Sequence, residues 1–205
     1  HASVEVRIKD LNDNPPVFAQ SISQLTMFET SVLGSEVGLV SATDDDSGIN
    51  AEVTYSILGG DGTFAIDATS GQITTMKVVD RETRDSYRLT VMAMDNGDPP
   101  LSSTTVVSIS VLDMNDNAPV FVMFGNASIS EATEVGHELF TVKAIDEDLG
   151  LAGMIEYKFF SGDYSAFGLD STTGQVSLAV PLDYEQNSEY VFTIKASDQA
   201  ANGLF

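Results

Sequence analysis

Short segments rich in aspartate, asparagine and glutamate are the part of this sequence best suited to chemistry. Asp10–Asn14 reads Asp-Leu-Asn-Asp-Asn, Asp113–Asn117 reads Asp-Met-Asn-Asp-Asn, and a proline follows each within two residues. Proline discourages a helix, so the side-chain oxygens are carried on extended chain. Carboxylate, amide and carbonyl oxygens are the ligands of Ca²⁺, which takes roughly six to eight of them at about 2.3–2.6 Å. These segments therefore indicate a site for a divalent cation.

The overall charge points the same way. The chain has 31 acidic and 9 basic residues, a formal net charge of −22. Such a charge repels nucleic acid and anionic lipid headgroups, and it makes the folded chain repel itself unless cations are bound. An acidic surface also keeps a protein soluble, so the positions of the acids have to decide between the two interpretations. Cysteine is absent, which excludes disulfides and thiolate metal sites.

The acidic segments belong to an internal repeat of about 103 residues. Asp10–Phe18 recurs as Asp113–Phe121, and Phe64–Ile73 recurs as Phe167–Val176. Shorter motifs return at the same spacing or within one residue of it: Asp44-Asp-Asp46 as Asp146-Glu-Asp148, and Asp80-Arg-Glu82 as Asp183-Tyr-Glu185. A repeat of this length predicts two copies of one structural unit.

Apolar residues alternate with polar ones inside each repeat, as in a strand with one buried face. The clearest examples are Val4–Lys9, Leu89–Ala93, Val107–Val111 and Phe192–Ala196. Turn-forming residues at 59–62, 69–71 and 95–100 separate such segments. Several short strands without a long helical pattern predict a β-sandwich in each repeat.

These motifs, together with the single glutamate in Phe28-Glu-Thr30, resemble the signature of the cadherin repeat over nearly the whole chain. The resemblance implies an all-β protein of tandem Greek-key, immunoglobulin-like β-sandwiches joined by calcium-binding linkers. It divides the chain into 1–14, the last strand and linker of a preceding repeat, 15–117, a complete repeat with its linker, and 118–205, a second repeat without its final strand. We expect an interior piece of a longer cadherin, and the desmosomal, proto-, Fat-like and other long classes all stay open at this point.

The resemblance further implies about three calcium ions at the junction between the two repeats. Two adjacent ions would be bound by Glu29, Asp80, Glu82, Asp113 and Asp116. The third would be bound by Asp146, Asp148, Asp198, the side chain of Asn115 and the backbone carbonyl of Asn117. Asp148 would bridge the second and third ions. Eight carboxylates against six positive charges make this junction nearly neutral.

Two further junctions are half present, and we expect these halves to bind calcium weakly or not at all. The half shared with a preceding repeat would use Asp10, Asn12, Asp13, Asn14, Asp44, Asp46, Asn50 and Asp95. The half shared with a following repeat would use Glu131, Asp183 and Glu185. The second repeat departs from the pattern at Ala152, which stands where the first has Asn50, and this affects the fine geometry of its site.

Other polar residues have simpler interpretations. Asp67 and Asp170 precede Ser/Thr-x-Gly turns and are predicted to form those turns instead of binding metal. Asn126-Ala-Ser128 is an acceptor sequence for N-glycosylation, which makes Asn126 a candidate site in an extracellular protein.

The resemblance implies a non-enzymatic cell–cell adhesion module in which calcium rigidifies a rod-like ectodomain. Its partners would be other cadherin ectodomains, homophilic or related, and adjacent repeats of its own chain, with no nucleic acid. It would lie outside the cell at the plasma membrane, anchored by a segment absent from this sequence. One alternative is a passive spacer whose partner-binding surface lies elsewhere. Another is a glycoside hydrolase that uses paired carboxylates.

Overall fold

The computed structural model describes residues 2–20, 22–201 and 203–204, which form an almost entirely β structure. The chain separates into two compact units, His1–Asp113 and Met114–Phe205. Within the described residues the one helical element is a 3₁₀ turn at Gly48–Ala51, and no helix there is long and apolar enough to span a membrane. The all-β prediction is confirmed. The three-part division of the chain stays a prediction.

Within the described residues the first unit contains nine strands. They are β1 (Val17–Phe18), β2 (Ile22–Phe28), β3 (Glu36–Leu39), β4 (Ala42–Thr43), β5 (Thr54–Leu58), β6 (Phe64–Ile66), β7 (Gln72–Thr75), β8 (Ser86–Met94) and β9 (Ser102–Leu112). One sheet has the order β2-β9-β8-β5, and a second has the order β3-β7-β6. β2 runs parallel to β9, and all other pairs are antiparallel.

Alternation along β8 and β9 builds the core of this unit. β8 buries Leu89, Val91 and Ala93, while β9 buries every second residue from Thr105 to Val111. Each buried Val or Ile side chain contributes about 1.5–3 kcal/mol relative to an exposed one. The predicted strands at 89–93 and 107–111 are therefore present with the expected buried face.

The second unit repeats this plan, with seven strands in the part that the structure describes. They are β10 (Val120–Met123), β11 (Glu138–Thr141), β12 (Lys143–Ile145), β13 (Ile155–Gly162), β14 (Phe167–Leu169), β15 (Gln175–Leu178) and β16 (Phe192–Asp198). The three-stranded sheet has the order β11-β15-β14, and β16 pairs with β13. The two units share small details: a buried tyrosine hydroxyl, Tyr55 or Tyr157, accepts a hydrogen bond from the backbone N–H of Ala42 or Ala144.

The predicted strand at Val4–Lys9 was wrong. Residues 2–16 have no strand assignment, and Val4, Val6 and Ile8 are each at least 80% exposed. A strand needs a neighbour for its backbone N–H and C=O groups, and within the described residues none pairs with this segment. The sequence of this segment alternates as in a strand, but the segment is not paired in a sheet.

Candidate metal centres

Three carboxylates of the first unit, Glu29, Glu82 and Asp113, form what we call the first acidic cluster. One oxygen from each lies within 4.8 Å of the others. Glu29 directly follows β2 and Asp113 directly follows β9, and these strands are parallel neighbours, so both acids emerge at the same edge of the sheet. The Glu29 N–H donates to the Leu112 carbonyl at 3.1 Å, which fixes this edge.

Burial makes the charge of this cluster expensive. Glu29 is 1% exposed, and its Oε2 accepts the backbone N–H of Arg81 at 2.7 Å. A buried carboxylate is costly unless hydrogen bonds and opposite charge compensate it. Burial raises the pKa of Glu82, and the neighbouring Glu29 raises it further, although the Glu82 backbone N–H and Arg81 act in the opposite direction. The cluster therefore needs positive charge.

Arg81 supplies such charge. Its Nε lies 2.5 Å from Asp113 Oδ1 and 3.9 Å from Glu29 Oε1, and its Nη2 pairs with Glu82. The Arg81 side chain is 12% exposed. Burial by itself would lower the pKa of Arg81, but Asp113, Glu82 and Glu29 outweigh it and raise the pKa. Sequence reasoning missed this role, although the second repeat has Tyr184 in the corresponding position.

Asp80 was predicted to bind metal beside these acids but is not among the three that cluster. Its Oδ1 accepts the Thr83 backbone N–H at 3.0 Å, and its Oδ2 accepts the Thr83 hydroxyl at 2.9 Å. These two hydrogen bonds lower the pKa of Asp80. Asp80 therefore shapes the turn that presents Glu82.

The second acidic cluster consists of Glu131, Asp183 and Glu185 in the second unit. Their oxygens also approach within 4.8 Å, but all three residues are exposed. The backbone N–H of Tyr184 donates to Glu131 Oε2 at 2.8 Å, as Arg81 does to Glu29. The structure thus brings together the three acids predicted for a junction with a following repeat.

A different arrangement surrounds Asp44 and Asp46 in the first unit. Asn14 donates to both oxygens of Asp46, through its backbone N–H at 3.2 Å and its side chain at 2.6 Å. The Asp46 N–H donates to Asp44 Oδ1 at 2.9 Å. Asp10 Oδ2 accepts the Asn50 amide at 2.9 Å, and Asp13 Oδ1 accepts the Asn14 amide at 2.9 Å.

Asn12 completes this group. Its amide nitrogen donates to the Pro99 carbonyl at 2.8 Å and to the buried Asp95 at 3.2 Å. A Cβ on Gly97 would lie 2.3 Å from that nitrogen, so any larger residue there would displace the Asn12 side chain. Asn12 Oδ1 and Asp44 Oδ2 are buried and accept no hydrogen bond from the described residues. Buried oxygens without a donor fit a bound hard cation.

The second unit repeats these contacts at the equivalent residues. Asn117 donates to Asp148 through its backbone at 3.2 Å and its side chain at 2.9 Å, and the Asp148 N–H donates to Asp146 Oδ1 at 3.0 Å. Asp116 Oδ1 accepts the Asn117 amide at 2.9 Å. Asp198 is 6% exposed and accepts the Ala200 N–H at 2.9 Å. Asn115 is half-buried.

The remaining predicted residues lie at the surface. Asp67 Oδ1 accepts the N–H groups of Thr69 and Ser70, and Asp170 Oδ1 accepts those of Thr172 and Thr173, so both form the predicted turns. Asn126 is exposed on the strand-free segment between β10 and β11.

Comparisons with known proteins agree about the family. A family model described as Cadherin domain matches residues 23–112 and 125–205. Human Protocadherin-23 is 42% identical over 97% of this chain, and Drosophila melanogaster Protein dachsous is 39% identical over 96%. The chain spans 6% of the length of either relative.

Solved structures give the same result. The crystal structure of mouse Cadherin-23 EC22-24 has a TM-score of 0.87 at 34% identity, covering 96% of this chain and 63% of its own. A Protocadherin gammaB7 EC3-6 cis-dimer structure has a TM-score of 0.84 at 28% identity, covering 96% of this chain and 50% of its own.

Proposed function

Because this chain belongs to the cadherin family, we propose that it is a calcium-binding adhesion module of an extracellular rod. The observation that carries the proposal is the first acidic cluster, whose three carboxylate oxygens lie within 4.8 Å. Ligands on opposite sides of a calcium ion are roughly 5 Å apart, twice the usual ligand distance. The spacing of these acids therefore suits a calcium ion.

The full ligand set is a proposal of the same kind. The first unit would offer Glu29, Asp80, Glu82 and Asp113, and the second unit Asn115, Asp116, Asn117, Asp146, Asp148 and Asp198. These donors are carboxylate, amide and carbonyl oxygens, which is the chemistry calcium requires. About three ions would then nearly neutralise them and rigidify the segment that joins the repeats.

Asn12 and Asp44 give further support at the half site. Their buried oxygens accept no hydrogen bond from the described residues, so a cation there would satisfy both of them. The exposed second acidic cluster would bind calcium more weakly, because water competes with exposed carboxylates for the ion.

The partners follow from the family. We propose that the repeats lie outside the cell, in the ectodomain of a membrane protein, and associate with other cadherin ectodomains. The cis-dimer structure of a relative supports contacts between cadherins. A passive spacer remains the second candidate, because the chain spans only a small part of its relatives. Asn126 would carry a glycan, since its acceptor triplet is exposed.

Catalysis by paired carboxylates is disfavoured. A glycoside hydrolase holds its two carboxyl groups about 5–9.5 Å apart, across a sugar. In the first acidic cluster Glu29 is 1% exposed, and the guanidinium of Arg81 pairs with Glu82 and Asp113. Carboxylates that are buried and ion-paired in this way do not line an open cleft for a sugar.

Thermal unfolding of the full chain in calcium, in magnesium and in chelator tests the proposal. Calcium should raise the melting temperature, because a ligand that binds only the folded state stabilises it, by about 2.7 kcal/mol at one hundred times its Kd. Glu29→Gln should lose most of this gain. Glu36→Gln, which neutralises an exposed acid on β3 of the same unit, should keep it.

Two outcomes would count against the proposal. Equal melting temperatures in calcium and in chelator would mean that the folded chain has no stabilising calcium site. Equal losses in Glu29→Gln and Glu36→Gln would mean that calcium binds, but away from the first acidic cluster.

A further inference from the structure

Arg81 stands among the acids of the first cluster as an alternative to metal. Its guanidinium contacts Asp113 and Glu82 directly and lies 3.9 Å from Glu29. The peptide N–H of the same residue donates to Glu29 Oε2 at 2.7 Å. Main chain and side chain of one residue thus both bind the cluster, which places the positive charge where an incoming ion would need the same oxygens.

We propose that Arg81 is an internal counter-cation, which neutralises part of the first acidic cluster when metal is absent and has to move out when calcium binds. The proposal rests on the calcium function above. A guanidinium nitrogen at 2.5 Å from Asp113 Oδ1 and a calcium ion at its usual 2.3–2.6 Å from the same carboxylate would repel each other strongly. Binding of the ion is therefore an exchange of cations, and Arg81 lowers the calcium affinity of the site.

The second unit shows what the motif looks like without this charge. Tyr184 keeps the backbone hydrogen bond to Glu131 at 2.8 Å, but its side chain points to solvent and is 65% exposed. The acids around it are exposed as well. The more buried cluster has the guanidinium, and among the described residues no guanidinium pairs with the exposed cluster, as expected if Arg81 offsets the cost of burial.

Arg84 supplies a matched control within the same unit. It pairs with Asp61 at 2.9 Å, is 48% exposed, and its guanidinium lies 4.1 Å from the centre of the Tyr87 ring. An arginine of this surface type contributes little to stability and does not touch the acidic cluster. Arg81→Gln and Arg84→Gln therefore remove the same kind of charge, but only Arg81→Gln removes it from the first acidic cluster.

Unfolding in chelator is the first test. Arg81→Gln should melt at a lower temperature than Arg84→Gln, because three partly buried carboxylates lose their cation. Arg81→Lys, which keeps the charge, should melt closer to the wild-type chain. Equal melting temperatures for Arg81→Gln and Arg84→Gln would overturn the proposal, whether or not the chain binds calcium.

Calorimetric titration with calcium chloride is the second test. Arg81→Gln should bind calcium about tenfold more tightly than the wild-type chain. A neighbouring charge changes the affinity of a carboxylate for a proton by about 1–3 pKa units, and we expect an effect at the lower end of that range for calcium. Arg84→Gln should match wild type. Unchanged or weaker binding in Arg81→Gln would overturn the proposal, whereas no calcium binding in any variant would overturn the proposed function itself.

The Arg81 Nε–H signal in the ¹H–¹⁵N NMR spectrum provides a third test and needs no stable variant. In chelator this proton should exchange slowly with solvent, since Arg81 Nε is buried and lies 2.5 Å from Asp113 Oδ1. On saturation with calcium its exchange should become faster and approach that of the Nε–H of Arg88, an exposed arginine on β8. A signal that calcium leaves unchanged would overturn the proposal, because the guanidinium would then not have moved.

Discussion

Glu29 combines almost complete burial with a formal negative charge. It lies at the end of β2, with the backbone N–H of Arg81 on one carboxylate oxygen and the other acids of the cluster close by. A buried carboxylate without compensation costs several kcal/mol. The stability of the first unit therefore depends on positive charge at one position, whether from the guanidinium or from a metal ion.

Asp67 differs from Glu29, because the surrounding hydrogen-bond donors stabilise its negative charge in the folded chain. The pKa of Asp67 is lowered by the backbone N–H of Ser70, then by the Ser70 hydroxyl and the backbone N–H of Thr69. Asp170 occupies the same turn in the second unit, and its pKa is lowered by Thr173 and Thr172. A carboxyl whose pKa is lowered on folding stabilises the fold above its unfolded pKa, and that contribution is lost as the pH falls through the folded pKa.

Asp67→Asn should therefore reduce stability at neutral pH. The difference from wild type should shrink as the pH falls below the ordinary pKa of 3.8, because the unfolded carboxyl is protonated first and the folded carboxyl only at still lower pH, where the contribution is lost. Denaturant unfolding in chelator at a series of pH values measures this. Glu36→Gln, an exposed acid on β3, serves as the control, and a pH-independent difference for Asp67→Asn would contradict the assignment.

Strand β8 and strand β16 are equivalent in sequence pattern but not in their pairing. β8 has β5 on one edge and β9 on the other, whereas β16 pairs with β13 alone within the described residues. Backbone groups on an unpaired edge face water or another chain. Local opening should therefore cost less free energy at β16.

Amide hydrogen exchange should show this difference. In a monomeric sample of this chain, the amides of 192–198 should exchange faster than those of 86–94. Strands β7 and β15 provide the control, since each is the central strand of a three-stranded sheet. If β15 also exchanges faster than β7, the second unit is less stable as a whole and the edge is not the cause.

The predictability of these elements differed for a physical reason. Two strands, Leu89–Ala93 and Val107–Val111, were predicted because the alternation of apolar and polar residues indicates which face of a strand is buried. Val4–Lys9 has the same alternation and forms no strand, because a pattern gives the face of a strand and not the presence of its neighbour. Sequence thus predicted the sandwich better than the pairing at its edges.

The candidate site was predictable in the same uneven way. The repeated motifs identified which acids could bind a cation, and the structure brings Glu29, Glu82 and Asp113 together. The position of the Arg81 guanidinium could not be predicted, because it depends on the parallel pairing of β2 with β9, which brings Asp113 within its reach. Tyr184 in the second repeat was the available signal that this position differs.

The net charge of −22 affects every part of the molecule at once. Exposed like charges repel each other over about a Debye length, roughly 10 Å at 0.1 M salt and 3 Å at 1 M. Self-repulsion of this kind destabilises the compact state. Bound metal and simple salt should thus each reduce this repulsion, so that salt stabilises the chain less when metal is already bound.

Sodium chloride should raise the melting temperature in chelator more than it does in calcium. In chelator no calcium offsets the large excess of acids, so salt has more like-charge repulsion to screen. Thermal unfolding between 0.1 and 1 M salt measures both slopes, and choline chloride in place of sodium chloride separates screening from binding of sodium. Equal slopes in calcium and in chelator would contradict this account.

The parallel pairing of β2 with β9 has a mechanical consequence. Ile22 lies beside Val106 and Phe28 lies beside Leu112, so the chain enters β2 at one end of the ladder and leaves β9 at the other, about 20 Å away. A tensile force applied at these two points shears all seven paired positions at the same time. An antiparallel pair would put entry and exit at one end and unzip one bond after another. The first unit is thereby built to share a pulling load across a whole strand.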